Sequence, residues 1–138
     1  MVPVVKVLIS CLVYLRPLMI LVTIKIDVRL SKQKELAQTL FALAGRVRKE
    51  AGCVSSHFYR EVENKAHLCV LEEWATQADL NAHLRSDNFR VLLGAVKLLN
   101  GPAEMRFHFV SQTLGEEAVE AARDRLTHIW SCKVRERR

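Results

Sequence analysis

Between Ile20 and Val28, every second residue is a β-branched aliphatic: Ile20, Val22, Ile24, Ile26 and Val28 alternate with Leu21, Thr23, Lys25, and Asp27. Successive side chains of a strand point to opposite faces, so this period of two predicts a strand with one buried face. A one-sided strand needs a layer to bury against. The next stretch supplies it. Leu36, Leu40, Leu43 and Val47 recur at helical spacing, predicting a helix capped by Ser31 and running to about Glu50, with Gly52 as its C′ glycine.

Two strand-like runs follow. Cys53 to Val62 carries Val54, Phe58 and Val62 on one side, and His67 to Trp74 returns after a turn at Asn64. Thr76 then opens a short helix, with Asp79 in the capping-box position and Leu80, His83 and Leu84 on one face. Ser86 caps a second helical piece whose Phe89, Leu92, Leu93 and Val96 face inward, and "NGP" ends it. A last strand, Glu104 to Val110, sets Met105, Phe107 and Phe109 on one face.

The order is β-α-β-β-α-β with a split second helix. It predicts an α+β, ferredoxin-like, antiparallel four-stranded sheet with helices on its apolar face. The opposite face would carry Thr23, Lys25, His57, Tyr59, Cys69, Leu71, Arg106 and His108. A half-apolar sheet face needs a cover, so we expect a homodimer with its sheets back to back.

The net charge of +6 does not make a nucleic-acid binder. Between residues 19 and 113 there are 13 Lys/Arg against 10 Asp/Glu, and no basic stripe interleaved with aromatics. Cys11, Cys53, Cys69 and Cys132 form no C-x-x-C pair, and the histidines show no H-x-x-x-H spacing, so no metal site is expected. Unpaired cysteines fit a reduced, cytoplasmic protein.

Residues 1–18 are read as an apolar appendage, 19–113 as the domain, and 114–138 as a helical tail. Lys6, Arg16 and Pro17 break the apolar N-terminus. Its uninterrupted run, Val7 to Leu15, is shorter than the roughly 20 residues a membrane helix needs. An upstream start, a signal and an anchor all stay open for it, and no membrane role is expected. The stretch "EEAVEAARDRLTHIW" in the tail reads as a packing arm.

The element order together with "MILVTIKI", "EAGC", "EEWATQADLNAHLRSDNF" and "MRFHFV" resembles the antibiotic biosynthesis monooxygenase family of dimeric α+β barrels. The resemblance covers about residues 19–113. It implies a homodimer with a small cavity in each protomer between sheet and helices. It also implies, for some members, oxidation of phenols or quinols by O2 with no cofactor. Such chemistry needs a dry slot of roughly 300 Å³ and a base for the phenolic proton. His83 is the candidate base, as an ordinary histidine titrates near about 6.5. Trp74 is the candidate orienting wall, and Glu72, which shares its side of the strand, the partner of His83. Phe58, Phe89 and Phe107 would complete the slot around a small aromatic substrate.

Other readings of the same residues stay open. Trp74 as a core anchor and His83 as a structural tie would give a non-catalytic, small-ligand-binding or stress-related dimer. Haem-degrading relatives of this fold use an Asn, a Trp and a His, and here Ile26, His83 and Leu93 stand at those positions. Ile26 and Leu93 cannot ligate iron or donate to bound oxygen, which argues against haem degradation; haem binding through another histidine is a separate reading.

Overall fold

The computed structural model describes residues 19–98 and 103–123. Its elements run β1 (Met19–Asp27), a 3₁₀ turn (Leu30–Lys32), α1 (Gln33–Val47), β2 (Cys53–Arg60), β3 (His67–Trp74), α2 (Gln77–Leu84), α3 (Asp87–Leu98) and β4 (Ala103–Val110). Residues 117–123 are helical. The strands form one four-stranded sheet in the order β2-β3-β1-β4, every neighbouring pair antiparallel. This is the α+β, ferredoxin-like plan, and the sheet is not closed within one chain.

The helices cover one face. Ile20, Val22, Ile24 and Ile26 from β1 and Leu68, Val70 and Trp74 from β3 are buried there against Leu36, Leu40 and Val47 of α1, Leu80 of α2 and Leu92 of α3. The period-two and helical stripes in the sequence thus meet in one core. Each buried aliphatic of this kind contributes about 1.5–3 kcal/mol over leaving it in water.

Helix starts follow side-chain chemistry. Thr76, in extended conformation, accepts a hydrogen bond from the Asp79 N–H and donates its hydroxyl to Asp79 Oδ2 at 2.6 Å. The Phe89 N–H donates to Ser86 Oγ at 3.2 Å. The first cap starts α2 after β3, and the second, between α2 and α3, splits the second helix. The start of α1 differs from expectation. Ser31 lies inside the 3₁₀ turn, and no side chain caps α1 at Lys32. Instead the Gln33 side chain donates to the Lys65 carbonyl, tying the start of α1 to the turn before β3. The helix also ends earlier than expected, at Val47, and the chain reverses through residues 48–52, where Gly52 takes φ +77°.

Two strands correct the sequence reading. In β2 the pairing register shifts between Cys53 and Ser55. Such an irregularity reverses the inside–outside alternation. Phe58 faces the helices as expected, together with Ser56, but the shift turns Val54 outward, 58% exposed, and Val62, beyond the strand, is 92% exposed. In β4, Phe107 pairs with Val22 and Phe109 with Ile20, on the helix side of the sheet. As β4 is an edge strand, both rings lie in solvent at 41% and 58% exposure. Residues 1–18 and 124–138, with the appendage and the end of the tail expected there, lie outside the described residues.

Candidate functional site

β3 carries Glu72 and Trp74 on the same inner face, two residues apart. α2 turns His83 toward them beside Leu80. The imidazole stacks on the indole, with ring centroids 4.5 Å apart and planes at 28°, and the Phe89 ring meets it edge-on at 5.3 Å. Trp74, Glu72 and His83 are 0%, 3% and 2% exposed. A carboxyl and an imidazole are thus enclosed in a largely hydrocarbon interior.

Burial at this depth makes every polar partner matter. The Trp74 Nε1–H donates to Glu72 Oε2 at 3.1 Å, and the Ser56 hydroxyl, on the paired position of β2, donates to Oε1 at 3.5 Å. His83 Nδ1 lies 2.7 Å from Glu50 Oε2, and the Asn88 amide donates to Glu50 Oε1 at 2.6 Å. Both oxygens of Glu50 therefore act as acceptors, which places a hydrogen on His83 Nδ1. Nε2 lies 3.4 Å from Glu72 Oε2 and makes no hydrogen bond. Burial pushes the Glu72 carboxyl above its ordinary range, against the lowering pull of His83 and of the Trp74 hydrogen bond. Burial, then the Glu72 and Glu50 charges, push the Cys53 thiol up to about 11, so it stays protonated.

Among the described residues, no group of three or more His, Cys, Asp or Glu side chains is placed to hold a metal ion. In this cluster the two ring nitrogens face different carboxylates rather than a common point.

The site is packed. Beside Glu72, a void of about 10 Å³ lies between Leu40, Leu43, Val47, Phe58, Val70 and Leu92, at or below the space of one water. Among the described residues, no ring-sized closed cavity of the kind expected borders His83, whose ring packs on Trp74 and Phe89. Two larger recesses are open grooves. One, of about 690 Å³, lies at one end of the uncovered sheet face by Lys25, Tyr59, His67 and Cys69. The other, of about 810 Å³, runs between α1 and β2 by Leu30, Ala37, Phe41 and Phe58. Neither is lined by His83 or Trp74.

The sequence pattern of the family described as antibiotic biosynthesis monooxygenase matches residues 19–93, more than half of the chain. The chain belongs to this family. A conserved protein from Methanosarcina mazei is 30% identical to it, over 70% of this chain and 97% of that one, with a TM-score of 0.64. Two candidate antibiotic biosynthesis monooxygenases show the same fold. The one from Deinococcus radiodurans is 18% identical over 70% of this chain and 96% of its own, TM-score 0.66. The one from Caulobacter crescentus is 24% identical over 69% and 92%, TM-score 0.63. No curated protein matches the sequence.

In this antibiotic biosynthesis monooxygenase family member, Glu72, Trp74, His83 and Phe89 come together. Phe58 does not join them; it lines the small void on the far side of Glu72 and the groove between α1 and β2. Phe107 does not join them; it stands exposed on the edge strand. Sequence reasoning paired His83 with Glu72, but the short contact is to Glu50, and Asn88 and Ser56 were also missed. Glu50 sits in the turn after α1, 33 residues from His83, where neither helical nor strand periodicity reaches. Its one signal is its place in the "EAGC" turn.

Proposed function

We propose that this protein is a cofactor-independent monooxygenase that uses O2 on a small phenolic or quinol aromatic, working as a homodimer. What supports the reading, beyond the family, is one observation. A buried imidazole whose Nε2 makes no hydrogen bond is held between two carboxylates and against an indole. Such an imidazole can take the proton of a phenol. The resulting anion is electron-rich enough to reduce O2. A phenol with an open para position plus O2 gives a quinone plus water, so atoms and electrons balance with no added reductant. The Trp74 N–H, now donated to Glu72, can turn to a partly reduced oxygen species. Because the interior is filled, the substrate reaches Nε2 only when Phe89 and the corner between α2 and α3 move outward.

The dimer reading rests on the uncovered sheet face. Leu21, Cys69 and Leu71 are only partly exposed there, and among the described residues no helix covers them. Among the described residues no helix is long and apolar enough to cross a membrane; we place the protein in the reducing cytoplasm.

The filled interior favours a second reading, a family member that binds or assembles without turnover, in which the cluster is a structural tie. Incubation with ¹⁸O2 and a panel of phenols and quinols separates the two. One labelled oxygen in the quinone supports the monooxygenase; no labelled product across the panel supports the second reading.

A further inference from the structure

Glu72, His83 and Glu50 form a line from the core outward. The side chains of His83 and Glu72 are 1% and 4% exposed, that of Glu50 19%. At the outer end the Asn88 amide and the His83 Nδ1–H fix Glu50 as an acceptor on both oxygens. At the inner end His83 Nε2 and Glu72 Oε2 face each other at 3.4 Å without a hydrogen bond. Two acceptors so placed in an apolar interior repel, and a proton held by either removes the repulsion. The remaining titratable or charged groups nearby are Cys53 on β2, whose thiol keeps its proton, and Arg48, whose Nε–H donates to the Ser56 carbonyl. Neither competes for that proton at neutral pH.

We propose that Glu72, His83 and Glu50 are a proton relay linking the closed interior to solvent. Outward, the Glu72 carboxyl gives its proton to Nε2 while Nδ1 gives its own to the Glu50 carboxylate, which releases it to water. The products are a Glu72 carboxylate and an imidazole with its hydrogen on Nε2. Inward, the same steps run in reverse and restore the starting state, so the stacked ring never has to turn over. The chain therefore carries protons alternately out and in. This suits the oxygenase reading, on which its use in catalysis rests: such a reaction takes a proton from the phenol and later returns protons to reduced oxygen. Glu50 is then a positioning and relay residue that does not touch substrate.

The test needs no substrate. In protein carrying ¹⁵N-labelled histidine, NMR measures how fast the His83 ring proton exchanges with water, in the wild type and in Glu50→Gln. A relay predicts rapid exchange in the wild type despite burial. It predicts slowing by about a hundredfold in the variant, the lower end of what a positioned acid or base contributes. A merely structural tie predicts the opposite, since losing it loosens the site and speeds exchange. Exchange that is unchanged or faster in Glu50→Gln overturns the relay. Should that variant fail to fold, Glu50→Asp reads the same direction, because its acid is withdrawn from Nδ1; wild-type exchange there also overturns it. A failed relay leaves the oxygenase reading standing, and a protein without turnover can still relay.

Discussion

His83 Nδ1 meets Glu50 Oε2 at 2.7 Å although 33 residues separate them. One partner lies on α2 and the other in the turn that leaves α1, so the contact ties these two elements together on the covered face of the sheet. An ionised partner makes this kind of hydrogen bond stronger than a neutral pair. It also gives the interior its only contact, within this cluster, with a side chain that reaches solvent. The chemistry proposed for the protein depends on this arrangement.

Glu72 makes stability depend on pH in a direction opposite to most carboxylates. Its pKa is raised in the folded protein, chiefly by burial. A carboxyl of this kind contributes stability that is complete below the ordinary value of 4.5 and is lost as pH rises through the folded pKa. Glu72→Gln removes that loss and keeps an oxygen for the Trp74 N–H. Thermal melts of both proteins should show the variant gaining on the wild type as pH rises from 4.5 toward neutral. A difference in Tm that does not change with pH would mean that Glu72 titrates normally.

Gly52 controls where α2 begins. Its φ of +77° is one that side-chain-bearing residues rarely adopt, and a Cβ there would lie 2.2 Å from the Asp79 carboxyl. Asp79 is the residue that Thr76 caps. Gly52→Ala is expected to lower stability in urea unfolding by about 1–3 kcal/mol and to disturb the helix that carries His83. Because the Asp79 Cβ would itself lie 2.4 Å away, Asp79→Gly in the Gly52→Ala background should recover the steric part of the loss, apart from the cost of a glycine in the first turn of α2, and leave the backbone strain.

Leu71 sits at the centre of the uncovered sheet face, paired with Thr23 on β1 and His57 on β2. If two copies join through this face, Leu71→Arg buries two unpaired charges at the junction. Sedimentation equilibrium should then show a dimeric wild type and a monomeric, folded variant. A dimer that survives the substitution places the interface elsewhere, with the exposed Phe107 and Phe109 of β4 as the next surface to examine.

Elements whose burial follows a simple period were legible in the sequence. The alternation in β1 and β3 fixed the inner faces, and hence the neighbourhood of Glu72 and Trp74; the stripe on α2 added His83. The cap and turn signals between the periodic stretches gave the order of elements. What was not legible depended on local irregularity or on distance along the chain. The register shift at Cys53 and Ser55 turns Val54 outward at the start of β2, and nothing in "CVSSHFYR" announces it. Phe107 and Phe109 obey the alternation of a buried strand, yet lie at an edge that the helices do not cover, a fact of strand order rather than of pattern. Glu50 belongs to a turn, and turns are placed by the elements they join. The packed state of the interior depends on how Leu40, Leu43, Val47 and Leu92 interdigitate, which composition and period do not specify.

The most direct test of the central claim, that His83 takes a proton from a phenolic substrate, is oxygen uptake by the wild type and by His83→Ala. Both would be measured with the same phenols and quinols, after circular dichroism has shown the variant to be folded. Uptake is expected in the wild type and should fall by about a hundredfold or more in the variant, as for loss of a general base. Equal uptake by the two proteins would contradict the claim and leave the buried cluster a structural tie.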